Sequence, residues 1–144
     1  MKNLTKELKE GQEITGKIKQ PTEEMVWNFS GGYPKGPNWP ARNIHTDLEV
    51  ALQCGLKTRA LSAAMFVGYF SELMTDVFGE NWLTSGKMDL KFIGMVDVGE
   101  KITSKAVVKS KELKGSKAIY TLDLWIEKAN GEKAVVGTAT AAFQ

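Results

Sequence analysis

The sequence holds one cysteine, one histidine and four prolines in 144 residues. A single cysteine, Cys54, excludes an internal disulfide and points to a reducing compartment, the cytoplasm. One His and one Cys make a poor ligand set for zinc, and no acidic cluster suggests a carboxylate-held Mg²⁺, so no metal is expected. No apolar run approaches the roughly 18 residues that cross a bilayer. The start, MKNLTKELKEGQ, is polar and has no apolar signal region. Charge of one sign is scarce as well. Nineteen Lys and Arg against seventeen Asp and Glu leave a formal net charge of +2. With the lysines scattered among glutamates, that balance argues against nucleic acid or an anionic membrane as a partner.

What is present describes one globular domain over residues 1–144, 42% apolar and long enough to bury a core. After a charged lead-in (1–11), QEITGKIKQ alternates weakly and reads as a short strand. Pro21 stops it. TEEMVWNF (22–29) reads as a helix. Thr22 is its N-cap, Glu23 and Glu24 suit the first turn, and Met25, Val26 and Phe29 give an apolar face.

SGGYPKGPNWPAR (30–42) cannot be regular structure, and an irregular loop of this length in a small domain is usually functional or mobile. A second helix follows. Thr46 and Glu49 fit a capping box, and Gly55 fits the C′ position. SAAMFVGYFSELMTDVF (62–78) is apolar nearly all round, with Ser71, Glu72, Thr75 and Asp76 on a narrow stripe. Such a helix is expected in the core with little surface exposed, Ser62 being its simplest N-cap. Met65, Phe66, Tyr69, Phe70, Met74 and Phe78 are expected to be core. Cys54 is read as buried or as a neutral thiol.

After Gly79 the period changes to two. KMDLKFIGMV (87–96), KITSKAVVKSKEL (101–113), KAIYTLDLWIEK (117–128) and EKAVVGTATAAF (132–143) read as an antiparallel meander of four strands. Asn130–Gly131 reads as a two-residue hairpin turn. The expected fold class is α+β: an antiparallel sheet, completed by the N-terminal strand, curled around the long apolar helix.

That order of elements and motifs resembles the hot-dog fold, and more narrowly the MaoC-like (R)-specific enoyl-CoA hydratase/dehydratase family. TEEMVWNFSGG resembles the helix leading to the family's Ser-Gly-Asp. NIHTDLEVALQCGL resembles its Asn-Pro-Ile-His-x-Asp segment. RALSAAM falls where the family has Pro-Ile-x-His-Gly-Met, and KMDLKFIGMVDVGEKIT resembles its strand and Gly-Asp/Glu turn. The resemblance implies an acyl-CoA ligand, with CoA as part of the substrate rather than a separate cofactor. It also implies a homodimer or higher homo-oligomer with CoA near the subunit boundary.

For the site, the resemblance implies His45 as the acid/base residue and a backbone N–H near Ala63, beside Ser62, as donor to the thioester oxygen. The family's Asp lies five residues before the His, where this sequence has Pro40. Aligned on Ser-Gly-Asp instead, the position is Gly32. The loop between Gly32 and His45 is about eight residues longer than the family pattern, and by either alignment the carboxylate is absent. Tyr33 and Asn43 are the first candidates to replace it, Asn43 also being able to orient His45 or serve a turn. Arg42 could pair with a CoA phosphate or a substrate carboxylate. Trp39 and Tyr33 also fit as aromatic pins that hold the loop down. Three functions follow: hydration or dehydration of an enoyl-CoA or 3-hydroxyacyl-CoA, non-catalytic binding of an acyl thioester or lipid-like ligand, or thioester hydrolysis on the same fold.

Overall fold

The computed structural model describes residues 7–143. Residues 1–6, most of the expected lead-in and the polar start, lie outside the described residues, as does residue 144. The elements run β1 (Glu13–Lys19), α1 (Glu23–Ser30), α2 (Leu48–Gln53), α3 (Ala63–Phe78), α4 (Glu80–Ser85), β2 (Lys87–Phe92), β3 (Ile102–Lys114), β4 (Lys117–Lys128) and β5 (Lys133–Phe143). All five strands form one antiparallel sheet in the order β1-β3-β4-β5-β2. The architecture is α+β, with α3 packed on the sheet.

One expectation about the sheet fails. Only β3, β4 and β5 form a meander. β2 pairs with β5, Lys87 opposite Thr140 and Phe92 opposite Val135, and so sits at the far edge of the sheet. It also stops at Phe92, short of the expected residue 96. Beyond it, the N–H groups of Ile93 and Gly94 both bond to the Ala134 carbonyl, and the chain turns out of the sheet.

The turns differ too. At Asn130–Gly131 the Gly131 N–H bonds to Lys128 O and the Lys128 N–H to Glu132 O, while Gly131 has φ +86°. This is a three-residue loop with a glycine bulge rather than a two-residue turn. The two-residue hairpin is Gly115–Ser116, between paired Lys114 and Lys117, with Gly115 at φ +63°.

The core lies between α3 and the sheet. Met65, Phe66, Phe70, Leu73, Met74 and Phe78 of α3 are buried against Ala106, Val108, Leu122, Leu124, Ile126, Val135 and Ala139 of the strands. Tyr69 is half-buried rather than core, with Lys19 over its ring. α3 is less enclosed than expected. Ala63, Ala64, Val67 and Gly68 are exposed, so the first two turns are open along one side. Glu72 on the polar stripe pairs with Lys19. α4, which no sequence pattern announced, tucks Trp82 under the sheet end. Cys54, the C-cap of α2, is exposed rather than buried.

Candidate functional site

Three chain segments meet beside the start of α3. Residues 43–46 form a turn in which the Asn43 carbonyl accepts from Thr46 N–H at 3.2 Å and Asp47 N–H at 3.0 Å. The Asn43 side chain completes it. Its Oδ1 accepts from His45 N–H at 2.9 Å and from Thr46 N–H at 3.2 Å, and its Nδ2 donates to Ser30 O at 2.8 Å. One carboxamide therefore fixes the His45 backbone and ties it to the end of α1.

The second segment, residues 59–61, runs alongside. Ala60 N–H donates to Ile44 O, and Leu61 N–H donates to Val96 O at 2.8 Å in the third segment. Between them the half-buried ring of His45 is anchored, its Nδ1 2.7 Å from Ala60 O. A carbonyl oxygen only accepts, so Nδ1 donates the hydrogen in this contact, and Nε2 has no hydrogen-bond partner among the described residues. Ala60 leads through Ser62 into α3. Ser62 stands at the N-cap position with extended backbone, but its hydroxyl makes no capping bond, contrary to its expected role. The first N–H groups of the helix, on exposed Ala63 and Ala64, have no partner among the described residues. They are orphan donors at the positive end of a 16-residue helix.

The cap of α2 is also displaced by one residue. Asp47, not Thr46, is the N-cap, its Oδ1 accepting from Val50 N–H at 3.1 Å. Thr46 is buried instead and acts as a strut, donating to Ala41 O at 2.6 Å and accepting from Asn43 N–H. Glu49 makes no capping box. With Asp47 it holds Arg42, at 2.7 and 2.6 Å. Hydrogen bonds from Arg42, then that from Val50 N–H, hold the Asp47 carboxyl below its ordinary range. Arg42 is thus already paired within the chain.

The loop over residues 32–40 closes on itself. Ala41 N–H donates to Gly31 O at 2.8 Å, and a side chain placed on Gly32 would come 3.9 Å from the Ala41 Cβ. Gly32, at φ +81°, and Pro40 therefore flank one neck. Both alignments for a carboxylate lead to this neck, and neither residue has an acid to offer. Trp39 is a pin: its ring stands edge-on to Trp27 at 6.0 Å, and its Nε1 donates to Trp27 O. Tyr33 is 85% exposed and projects into solvent.

Of the residues singled out from the sequence, Asn43 and His45 share one turn, and His45 is bonded to Ala60, which leads into Ser62 and Ala63; Trp39 and Arg42 are engaged within the loop and its ion pairs, and Tyr33 is exposed. The Ala60 carbonyl and the Thr46 strut were not foreseen. Ala60 acts through its backbone, which leaves no trace in residue type, and Thr46 looked like a cap. A shallow depression of about 580 Å³ opens on the opposite face of the sheet, lined by Asp89, Lys91, Trp125, Lys133, Val136 and Thr138 among others, and includes none of these residues.

No protein-family model matches this sequence, and no curated protein does either. Solved structures match over nearly the whole chain. A MaoC-like dehydratase from Rhodospirillum rubrum superposes with a TM-score of 0.74 at 16% identity, over 94% of this chain and 92% of its own. The (R)-hydratase from A. caviae involved in PHA biosynthesis gives 0.71 at 22% identity, over 95% and 98%. A chain of a 3R-hydroxyacyl-ACP dehydratase complex from Mycobacterium tuberculosis gives 0.68 at 12% identity, over 93% and 96%. The fold is the hot-dog fold, shared with MaoC-like dehydratases and (R)-hydratases.

Proposed function

We propose that this chain binds an acyl-CoA thioester at the start of α3 and adds or removes water across the C2–C3 bond of its acyl group. The observation that carries the reading is the His45 ring, fixed through Nδ1 on Ala60 O with Nε2 free, beside the uncapped N-terminus of α3. In the hydration direction, Nε2 takes a proton from water as the water oxygen bonds to C3. The C2–C3 π electrons move toward the thioester, and the enolate oxygen rests against the N–H groups of Ala63 and Ala64. The imidazolium then returns the proton to C2, so atoms and charge balance with one residue acting as base and acid. Asn43 holds His45 in place.

A second reading has its own observation. The neck that would carry a carboxylate holds Gly32 and Pro40, which favours a ligand-binding module without turnover. A thioesterase lacks comparable support, since neither Gly32 nor Pro40 at the neck supplies a carboxylate and Asp47 of the His45 turn is already paired with Arg42. Under either favoured reading the chain is a homodimer or higher homo-oligomer. β2 is a free edge strand, and Phe92, Ile93 and Met95 beside it are each about half exposed, a combination that favours strand pairing with another chain. The lone thiol of Cys54 fits a cytoplasmic protein, and no helix among the described residues is long and apolar enough to cross a membrane.

The test is loss of enoyl-thioester absorbance with short, long and aromatic enoyl-CoAs, for wild type and His45→Ala. The expected result is turnover that falls at least about 100-fold in the variant, the lower range for acid–base catalysis. Tight acyl-CoA binding without turnover would leave the binding module. Turnover indifferent to His45→Ala would remove His45 from the chemistry.

A further inference from the structure

α1 is docked shallowly. The sequence pattern expects Met25, Val26 and Phe29 to face the core, yet Val26 alone is buried, and Met25 and Phe29 stand 57% and 53% exposed. Beside Val26 the contact is made by half-buried Trp27 and Ser30. Glu23, Trp27 and Ser30 fall at i, i+4 and i+7, a single stripe of the helix, and Glu23, itself exposed, is the ion partner of Arg59. Four buried side-chain polar atoms among the described residues lack a hydrogen-bond partner. Three of them belong to α1 or to its ion partner: Trp27 Nε1, Ser30 Oγ and Arg59 Nε. Native folds leave few such atoms, and each one weakens the packing that creates it.

The attachments of α1 are correspondingly few: Val26, the Glu23–Arg59 pair, the bond from Asn43 to Ser30 O, and the Trp39 pin on Trp27 O. α3, by contrast, buries six apolar side chains. α1 also spans both segments that fix His45. Its C-terminal end is held by Asn43, two residues before the histidine. Its N-terminal end is held by Arg59, the residue before the Ala60 carbonyl that anchors the ring.

We propose that α1, with the loop it carries, is a lid on the His45 site that opens locally while the rest of the fold stays closed. Opening returns the three unpaired groups to water, which lowers its cost below that of unfolding any core element. The ligand arm of the test rests on the acyl-thioester reading; the opening itself does not.

The experiment is amide hydrogen exchange by mass spectrometry on the full chain. Without ligand, residues 23–30 are expected to exchange at least tenfold faster than residues 63–78; equal protection overturns the lid. Trp27→Phe with Ser30→Ala, and Ser30→Ala alone should the double variant fold poorly, are expected to slow exchange over α1 because they remove groups that penalise closure. Faster exchange in Ser30→Ala overturns the reasoning. Saturating butyryl-CoA, a saturated probe that cannot turn over, is expected to slow exchange over α1 about tenfold. Calorimetric binding of butyryl-CoA with no change at α1 overturns the lid. No binding of butyryl-CoA, nor of a long-chain or an aromatic acyl-CoA, refutes the acyl-thioester reading, and the ligand-free rates then decide the lid on their own.

Discussion

Replacing Asn43 separates the two jobs its side chain performs. Oδ1 takes two backbone N–H groups, from His45 at 2.9 Å and Thr46 at 3.2 Å, and Nδ2 donates to Ser30 O at 2.8 Å and to Ala41 O at 3.4 Å. A neutral hydrogen bond contributes about 0.5–1.5 kcal/mol net. Asn43 is only half-buried, so water partly replaces what is lost, and four bonds, one of them long, put Asn43→Ala at about 2–3 kcal/mol. Asn43→Asp keeps both acceptor bonds but turns a carboxylate oxygen toward the Ser30 and Ala41 carbonyls, so it is expected to cost at least as much. Urea unfolding of the three proteins reads this directly, since the midpoint moves while the slope stays constant if only stability has changed. The reasoning fails if Asn43→Ala lies within about 0.5 kcal/mol of wild type, the range of an ordinary surface change. It also fails if the aspartate is clearly the milder of the two, because the donor half would then contribute nothing to holding the turn on α1.

Other consequences are as definite. Phe70 is wholly buried at the middle of α3, and Phe70→Ala is expected to cost about 3–5 kcal/mol in the same urea assay; Leu113→Ala, at 76% exposure, is its control and should lie within about 0.5 kcal/mol of wild type. The Asp47 carboxyl, lowered by Arg42 and by the Val50 N–H, supports the start of α2 fully above the unfolded value of about 3.9, and this support is lost as pH falls through the lower folded value. A carbon-detected NMR titration should therefore give Asp47 a midpoint below about 3.9, moved upward by Arg42→Ala; a midpoint at or above that value contradicts the ion pair. Gly32→Asp places a carboxylate at the neck, at a positive φ that Asp tolerates better than most residues, and enoyl-CoA hydration should rise by about 100-fold or more. A folded, ligand-binding Gly32→Asp without that gain would show that the neck is not where the acid acts.

The core helix was legible because a long, nearly all-apolar segment at helical length has few places to go but the interior. The strands were legible one by one from their alternation, whereas the place of β2 was not. Lys87–Phe92 carries the same period as its successors, and nothing in a local pattern says that its partner is β5, four dozen residues on, instead of the next strand along. The turn at Asn130–Gly131 misled because only Gly131 takes a positive φ, and a two-residue turn of that type needs both central residues there. Thr46 and Asp47 are both good caps on composition, and the choice between them was made by burial, which pulled Thr46 inward to Ala41. For α1 the apolar spacing was read correctly as a helix and incorrectly as the buried face, since Met25 and Phe29 point away from a neighbour, Arg59, that pairs with Glu23.

The same geometry bears on the missing acid. A sequence comparison leaves two positions for it, eight residues apart, and a gap placed differently would choose the other. In the fold the distinction loses its force, because the bond from Ala41 N–H to Gly31 O draws Gly32 and Pro40 to the two sides of one neck. The inserted residues project beyond that neck and leave the Asn43–His45 turn undisturbed. By either alignment the neck therefore offers no carboxylate, while the carboxamide of Asn43, the carbonyl of Ala60 and the strut of Thr46 hold the His45 turn in place. A site that only enclosed a ligand would need none of the constraint on ring tautomer that the Ala60 carbonyl imposes, and that constraint is the physical reason to place a proton-transferring role on His45 ahead of a passive contact.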